Sequence, residues 1–346
     1  MMGLNKFSVM FNKHKGFKIF LTVLLAIILI SVLIKLTLGN SGSNIIGKDE
    51  KISIAHDYIG QLNISGTISE TETDSVLSSS TYHHRWLLDR IADMKDDKRN
   101  KGLMLIVNTP GGSVYASDEL YLAIKDYQKK TGRPVYSYMA TQATSGGYYI
   151  SAPCDRIMIN RNCWTGSIGV TMGTMYNIKD FLNKMGVKTV TITSGRNKAM
   201  GNMTDDMTGE QKKILQSLVD EAYDQFVGIV AEGRKLSRSK VRKIADGRIY
   251  SAKQAKNHKL VDEIATLGEA RSDMKDRYSL GNAEFEEFEY DDKKGFLSEL
   301  LGESVSKMIK SKLTGEKSKL TEIEQLKSLM SENQSFTVTY MAPVRH

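Results

Sequence analysis

The fold is decided by residues 103–113, which read LMLIVNTPGGS. The first five are apolar and end at turn residues, a pattern that predicts a buried strand over 103–107. Pro110, Gly111 and Gly112 then predict a sharp turn. Apolar residues at 120, 123, 124 and 127 recur at helical spacing, so a helix follows. A strand that leads through a tight turn into a helix is typical of a parallel α/β sheet.

The same alternation continues on both sides of this stretch. Strand-like residues occur at 52–55 and 58–60, and a Ser/Thr-rich loop covers 70–82. Further strands are predicted at 134–139, 156–159 and 187–193, and further helices at 84–94, 145–151, 178–185 and 208–235. We therefore predict an α/β domain over residues 52–280, with helices packed on its sheet.

The N-terminal region predicts a membrane anchor. Residues 19–34 carry no charge, and Leu36 and Leu38 extend the apolar run past Lys35, which gives about the 20 residues that a bilayer-spanning helix needs. Basic residues within 1–18 favour a cytoplasmic N-terminus, so a Gly/Ser-rich stalk at 39–51 and the folded domain after it are expected outside the cytoplasm. The alternatives are a buried core helix and a cleaved signal peptide.

Residues 281–346 form a C-terminal tail of different character. Helical spacing predicts amphipathic helices within 296–313 and 320–330, and residues 336–340 alternate as in a strand. This extended end could add as a strand to a sheet edge. The alternative is a frayed terminus.

Composition excludes several other classes of protein. The chain has 346 residues, 40% of them hydrophobic, and a formal net charge of +8. Four lysines before the apolar run supply half of that charge, so no nucleic-acid partner is predicted. Cys154 and Cys163 lack the spacing and the histidine partners of a zinc site, and we expect buried free thiols.

Two glycine-containing segments are candidates for an active site. Residues 143–149 read ATSGGYY, and Ser145 there follows a predicted strand, a position that suits a nucleophile but equally suits a helix N-cap. The turn at Gly111 and Gly112 exposes backbone N–H groups for an oxyanion, or it serves the fold alone. Neither segment matches a nucleotide-binding loop.

A serine nucleophile needs a base, and none of the six histidines stands out. Lys198, in the loop 194–198, is the candidate, because burial lowers the pKa of a lysine enough for it to accept a proton. The alternative is an ordinary surface charge. In TGSIGV, residues 165–170, the Ser167 hydroxyl is placed either to orient that lysine or simply to form a turn.

Taken in order, these motifs resemble the signal peptide peptidase (protease IV) family, whose fold is similar to the Clp protease and crotonase enzymes. The resemblance implies that Ser145 is the nucleophile, Lys198 the base and Ser167 the residue that orients the lysine. It implies an oxyanion hole made by the N–H groups of Gly112 and Gly146, with no metal or cofactor. It also implies a short, single-repeat form whose active site is completed by neighbouring subunits of a ring. The motifs are NTPGGS, TSGGYYIS, TGSIGV, SGRNK and DGRIYSAKQAKNHKLVDE.

The predicted function is therefore that of a membrane-anchored serine endopeptidase that degrades remnant signal peptides and other membrane-associated or unfolded polypeptides. Two alternatives remain. One is a Ser-Lys membrane protease that cleaves stomatin-like partners. The other is a catalytically silent scaffold, or an acyl-CoA enzyme, of the crotonase-like fold. A further hypothesis is that the extended C-terminal end lies across the active site as a substrate mimic, where it restrains the enzyme or is cleaved by it.

Overall fold

The computed structural model describes residues 54–71, 82–290 and 339–341. The predicted anchor at 19–38, the stalk at 39–51 and the tail helices after 290 lie outside these residues. No helix within the described ranges is long and apolar enough to cross a membrane.

Strands and helices alternate along the described chain. The strands are β1 (Tyr58–Ser65), β2 (Asn100–Thr109), β3 (Gly111–Ser113), β4 (Val135–Thr144), β5 (Arg156–Ile159), β6 (Trp164–Gly166), β7 (Ile249–Ser251), β8 (Glu263–Ile264), β9 (Glu284–Phe288) and β10 (Thr339–Met341). The helices are α1 (His84–Asp96), α2 (Val114–Thr131), α3 (Gly146–Ser151), α4 (Lys179–Lys184), α5 (Gly209–Gly233), α6 (Arg238–Ile244), α7 (Ala252–Asn257) and α8 (Leu267–Tyr278). The predicted mixed α/β class is confirmed.

The main sheet has the strand order β7-β6-β4-β2-β1-β9. Neighbouring strands are parallel, apart from the antiparallel pair of β6 and β7. The first half of β4 pairs with β5 and its second half pairs with β6, so the sheet divides along this strand. Because β1, β2 and β4 are parallel, their carboxyl ends meet at one edge of the sheet, which is where open α/β sheets place their sites.

Both faces of the sheet are buried, which explains the unbroken apolar run that the sequence shows in β2. Leu103, Leu105 and Val107 belong to the core on one face, together with buried residues of α1, α2 and α5. Met104 points to the other face and packs in a second core with residues of α8. A strand covered on both sides needs apolar residues at every position. Each such side chain contributes about 1.5–3 kcal/mol to folding.

Helix α5 shows how the sequence sets local boundaries. Thr208, the predicted N-cap, accepts a hydrogen bond from the N–H of Gln211, and the Gln211 side chain bonds back to the Thr208 backbone. This capping box satisfies two of the backbone donors that a helix start leaves free. The long helix predicted over 208–235 is therefore confirmed, as is the short helix predicted at 178–185.

Three local predictions are wrong. The predicted turn at Gly111 and Gly112 is the strand β3, because backbone from other parts of the chain lies on both of its sides. The strand predicted over 187–193 does not form: Val190 is 85% and Ile192 93% exposed, and among the described residues no strand pairs with them. Without a pairing strand, high β-propensity alone does not form a sheet. Strand β9 pairs with β1, so the main sheet extends beyond the predicted domain end at residue 280.

Candidate active site

Ser145 stands between the end of β4 and the start of α3 in an unusual backbone conformation. Its φ is 56° and its ψ −115°, in a region that non-glycine residues rarely adopt. The Ser145 N–H donates to the Gly166 carbonyl oxygen at 2.8 Å, and its own carbonyl accepts from the N–H of Tyr149 at 2.9 Å. Surrounding structure must hold such a residue in place, and strained residues of this kind cluster at active sites.

The two glycine motifs of the sequence pack directly against each other beside Ser145. A Cβ on Gly146 would lie 3.2 Å from both the α-carbon of Gly111 and the nitrogen of Gly112. A Cβ on Gly147 would lie 2.7 Å from the Thr109 side chain. The Thr144 hydroxyl also donates to the Pro110 carbonyl at 3.1 Å. Glycine is therefore needed at both positions, because only a residue without a side chain permits this approach.

Gly112 is closed in from its other side by the segment that follows β1. A Cβ at Gly112 would lie 1.8 Å from the carbonyl oxygen of Ile68. Two hydrogen bonds join the segments, from the Ser113 N–H to the Ile68 carbonyl at 2.8 Å and from the Ile68 N–H to the Gly111 carbonyl at 2.9 Å. Since successive residues of a strand point to opposite sides, the N–H and C=O of Gly112 face away from Ile68.

The open side of β3 is occupied by β10, the extended segment of the tail. The pairing is antiparallel, with Thr339 opposite Ser113, Tyr340 opposite Gly112 and Met341 opposite Gly111. Because the Gly112 backbone groups point to this side, Tyr340 and Gly112 form the hydrogen-bonded pair of the ladder. The Tyr340 carbonyl thus lies at the N–H of Gly112. The sequence had indicated that the tail could add to a sheet edge, but not which one.

Ser167 lies next to the hydrogen bond that anchors Ser145. It is buried, has a φ of 49°, and donates its N–H to the Arg248 carbonyl at 2.7 Å. Its neighbour Gly166 provides the carbonyl that binds the Ser145 N–H. A Cβ on Gly166 would lie 2.6 Å from the ring of Tyr250, so the turn is fixed by the strand β7 beside it.

Lys198 belongs to a different environment. It lies in an extension formed by residues 171–207, which contains no buried residue. The Lys198 N–H donates to the Gly195 carbonyl at 3.0 Å, but its exposed side chain makes no hydrogen bond or ion pair with any described residue. Within one chain the structure therefore brings together Ser145, Ser167, Gly112 and Gly146, but it gives Lys198 no contact with them.

Two acidic side chains, Glu70 and Glu119, lie near the start of α2. The Ser113 hydroxyl donates to Glu70 at 2.6 Å, and Glu119 lies 3.0 Å from the buried ring of His84. The hydrogen bond from Tyr115, with help from His84, holds the pKa of Glu119 below its usual value. The same bond raises the pKa of Tyr115.

Three side chains of kinds that can bind a metal ion, His56, Glu284 and Glu286, lie close together. The Nε2 atom of His56 is 3.0 Å from Glu286 and 3.7 Å from Glu284, at the edge strand β9. All three are at least partly exposed, and attraction between a histidine and carboxylates accounts for the cluster. The sequence analysis had given His56 no role.

The sequence of this chain is similar to known peptidases over most of its length. A protein of Enterococcus faecium that is provisionally named signal peptide peptidase SppA is 36% identical over 248 residues, which cover 72% of this chain and 71% of the relative. A provisionally named protease, MJ0651 of Methanocaldococcus jannaschii, is 32% identical over 86% of this chain and 93% of its own length. The profile of peptidase family S49 matches residues 127–281. The chain belongs to peptidase family S49.

This membership makes the protein a serine protease. Protease 4 of Haemophilus influenzae is also similar, at 33% identity over 61% of this chain and 33% of its own length. The S49 profile covers Ser145, Ser167 and Lys198, whereas Gly112 precedes the matched residues. The predicted family and the predicted enzyme class are thus confirmed, while the individual site residues remain predictions.

Proposed function

We propose that this S49 protease is an endopeptidase with a Ser145–Lys198 dyad, and that it degrades remnant signal peptides and other membrane-associated or unfolded polypeptides. The observation that supports it is the strained, buried Ser145 at the meeting point of both glycine segments. A nucleophile held there has backbone N–H groups within reach of any carbonyl that it attacks.

The reaction is an acyl transfer. The neutral amine of Lys198 removes the proton of the Ser145 hydroxyl, and the oxygen attacks the scissile carbonyl. The N–H groups of Gly112 and Gly146 stabilise the oxyanion. Lys198 returns the proton to the leaving amine, and water then releases the acyl group by the same steps. The Ser167 hydroxyl orients the amine of Lys198 through a hydrogen bond, the role that a third residue has in other triads.

Lys198 enters this reaction from a second copy of the chain. A lysine acts as a base only where its charged form is desolvated, and Lys198 is exposed in the single chain. The extension that carries it also exposes large apolar side chains, among them Phe181, Met185, Val190 and Ile192. Contact with a neighbouring subunit would bury both the lysine and these side chains. A ring of identical subunits is the assembly that repeats such a contact.

Substrates bind as an added strand on the open side of β3. The tail supports this mode, since Thr339–Met341 pairs there with the backbone of Gly111–Ser113. Recognition through backbone hydrogen bonds accepts many sequences, provided that the peptide is extended. The tail also competes with substrates for this position. Because the Tyr340 carbonyl lies at the Gly112 N–H, we expect the enzyme to cleave its own tail after Tyr340.

The location that suits these substrates is the outer face of the cell membrane. The segment 19–38, uncharged from 19 to 34 and carrying only Lys35 near its outer end, would serve as a single-pass anchor with residues 1–18 in the cytoplasm. An anchored protease remains close to signal peptides, which are themselves apolar and stay in the bilayer. Mapping protease accessibility in intact and opened cells tests this orientation: cleavage of residues 52–346 from the inside alone would refute it.

A fluorophosphonate probe tests the nucleophile. We expect the full-length protein to be labelled and Ser145→Ala to remain unlabelled, while Ser272→Ala, a substitution in α8, is labelled like the wild type. Equal labelling of Ser145→Ala would refute the proposal. Profiling of cleaved peptides separates general degradation of extended peptides from cleavage of a single membrane partner such as a stomatin-like protein.

A complementation experiment tests the base and the second copy together. Lys198→Met should abolish peptidase activity, whereas Lys188→Met, an exposed lysine of the same extension, should not. Co-assembly of Ser145→Ala with Lys198→Met should then recover part of the activity, because some sites combine an intact serine with an intact lysine. No recovery in assemblies shown to contain both chains would refute the arrangement between subunits.

Intact mass tests the position of the tail. Wild type should lose the residues after Tyr340, and Ser145→Ala should keep them. Identical full-length masses for both proteins would refute self-cleavage.

A further inference from the structure

Ser117 is a buried serine with no evident role in folding. It belongs to α2, where it begins the core-facing stripe continued by Leu120, Ile124 and Tyr127. Its Oγ atom is fully buried and has no hydrogen-bond partner among the described residues. A buried hydroxyl without a partner costs free energy relative to a methyl group, so for folding alone alanine would be the better residue here.

The position of this hydroxyl connects it to the proposed anion site. A Cβ built on Gly146 would lie 2.5 Å from the Ser117 Oγ atom and 3.2 Å from the nitrogen of Gly112. The hydroxyl therefore fills the space that the missing side chain of Gly146 leaves, next to the β3 backbone. Together with the backbone of Gly111 and Gly112, it leaves no room for a side chain at residue 146.

The hydroxyl oxygen lies beside the position that a Cβ on the Gly146 α-carbon would take, and that carbon is bonded to the nitrogen whose N–H the mechanism uses. The oxygen can accept a weak hydrogen bond from a Cα–H group, a contact that recurs in tightly packed backbone. Gly146 follows the strained Ser145, and without a side chain of its own it has a wide choice of backbone angles. A fixed atom against its α-carbon limits that choice and thereby sets the direction of its N–H.

We propose that Ser117 is a positioning residue of the oxyanion site, acting through Gly146. This inference rests on the proposed function, since it requires that the Gly146 N–H stabilise the oxyanion. Its effect belongs to the transition state, because a misdirected N–H binds the peptide as before but holds the developing charge less well.

The test compares Ser117→Ala with Ser151→Ala in the full-length protein. Ser151 is a second buried serine beside the same turn, but its hydroxyl is satisfied: it donates to the Gly147 carbonyl at 2.7 Å and accepts from Ser137 at 2.8 Å. The readouts are kcat and KM for a fluorogenic peptide, the inhibition constant of a peptide aldehyde, and Tm.

For Ser117→Ala we expect kcat to fall about tenfold and the inhibition constant of the aldehyde to rise by a similar factor. KM should stay within about twofold of the wild-type value, and Tm should stay the same or rise. For Ser151→Ala we expect a lower Tm and an unchanged kcat per folded molecule. Unchanged kcat and aldehyde affinity in Ser117→Ala would overturn the inference, as would a lower Tm with unchanged kcat per folded molecule.

The two proposals fail in different ways. Fluorophosphonate labelling of Ser145→Ala would overturn the function itself. If Ser145→Ala is unlabelled while Ser117→Ala reacts as fast as the wild type, only the role of Ser117 is lost.

Discussion

Replacing Gly112 by alanine should damage both the stability and the chemistry of this protease, in amounts that the structure allows us to work out. The new Cβ would lie 1.8 Å from the carbonyl oxygen of Ile68, 2.6 Å from its carbonyl carbon and 2.7 Å from its nitrogen. All three are backbone atoms, so no side chain can rotate out of the way. The two segments must separate.

Separation breaks the two hydrogen bonds between these segments, which run from Ser113 to Ile68 and from Ile68 to Gly111. Each is worth about 1 kcal/mol, and forcing an extra methyl into packed structure costs about 1–3 kcal/mol more. We therefore expect the free energy of unfolding to fall by about 3–5 kcal/mol, which corresponds to a Tm lower by about 10 °C in a domain of this size.

The chemical effect should be larger than the loss of folded protein. Displacement of β3 moves the Gly112 N–H, and loss of one oxyanion donor slows acyl transfer by about 10²–10³-fold. Thermal unfolding and the fluorophosphonate labelling rate per folded molecule check both parts. Gly268→Ala is the matched control: a Cβ there meets no atom within 4 Å and lies in the first turn of α8, so it should retain wild-type Tm and labelling. A wild-type Tm or labelling rate in Gly112→Ala would refute the reasoning.

Three further predictions concern other parts of the molecule. Asp262→Asn should lower the free energy of unfolding by about 3 kcal/mol in denaturant titrations, because it leaves the largely buried guanidinium of Arg234 without its charged partner at 2.7 Å. Burial raises the pKa of the Asp262 carboxyl, but the bonds from Arg234 outweigh this and leave it below 3.8. The ion pair therefore contributes its full stabilisation above the ordinary carboxyl pKa, and this stabilisation is lost as the pH falls through the lower pKa of the folded state. Between about pH 5 and pH 2 the wild type should thus lose more stability than Asp262→Asn. Parallel plots of unfolding free energy against pH would contradict this. Thr208→Ala should cost about 1 kcal/mol by removing the N-cap of α5, and an unchanged denaturation midpoint would exclude the cap as a stabilising feature. Cys154 and Cys163 are buried, and burial raises the pKa of the Cys163 thiol to about 12, so iodoacetamide should modify neither cysteine until denaturant is added.

Patterns that depend on neighbouring residues were predicted well from the sequence. The buried strand at 103–107, the helix after it and the long helix capped by Thr208 all appear as expected, because their periodicity reports directly which face meets the core. Burial of both cysteines as free thiols was also predicted, because their spacing and surroundings do not fit a zinc site. The motifs also led to the right family, since each depends on a short run of residues whose order is visible in the chain.

Ser117 marks the limit of that approach. The sequence analysis predicted the helix that carries it but gave Ser117 no role. That its hydroxyl lacks a partner and lies against Gly146 depends on how α2 and the turn after β4 pack together. No local pattern reports such a contact.

The sequence by itself determined the α/β alternation and the residue types that gather at the carboxyl ends of β2 and β4. Only the tertiary structure decided that Gly111–Ser113 is a strand and that Thr339–Met341 pairs with it. It also decided that 187–193 stays unpaired and that Lys198 remains exposed. The physical reason is that a strand or a buried base requires a partner surface, and here these surfaces come from segments far apart in the chain or from outside it.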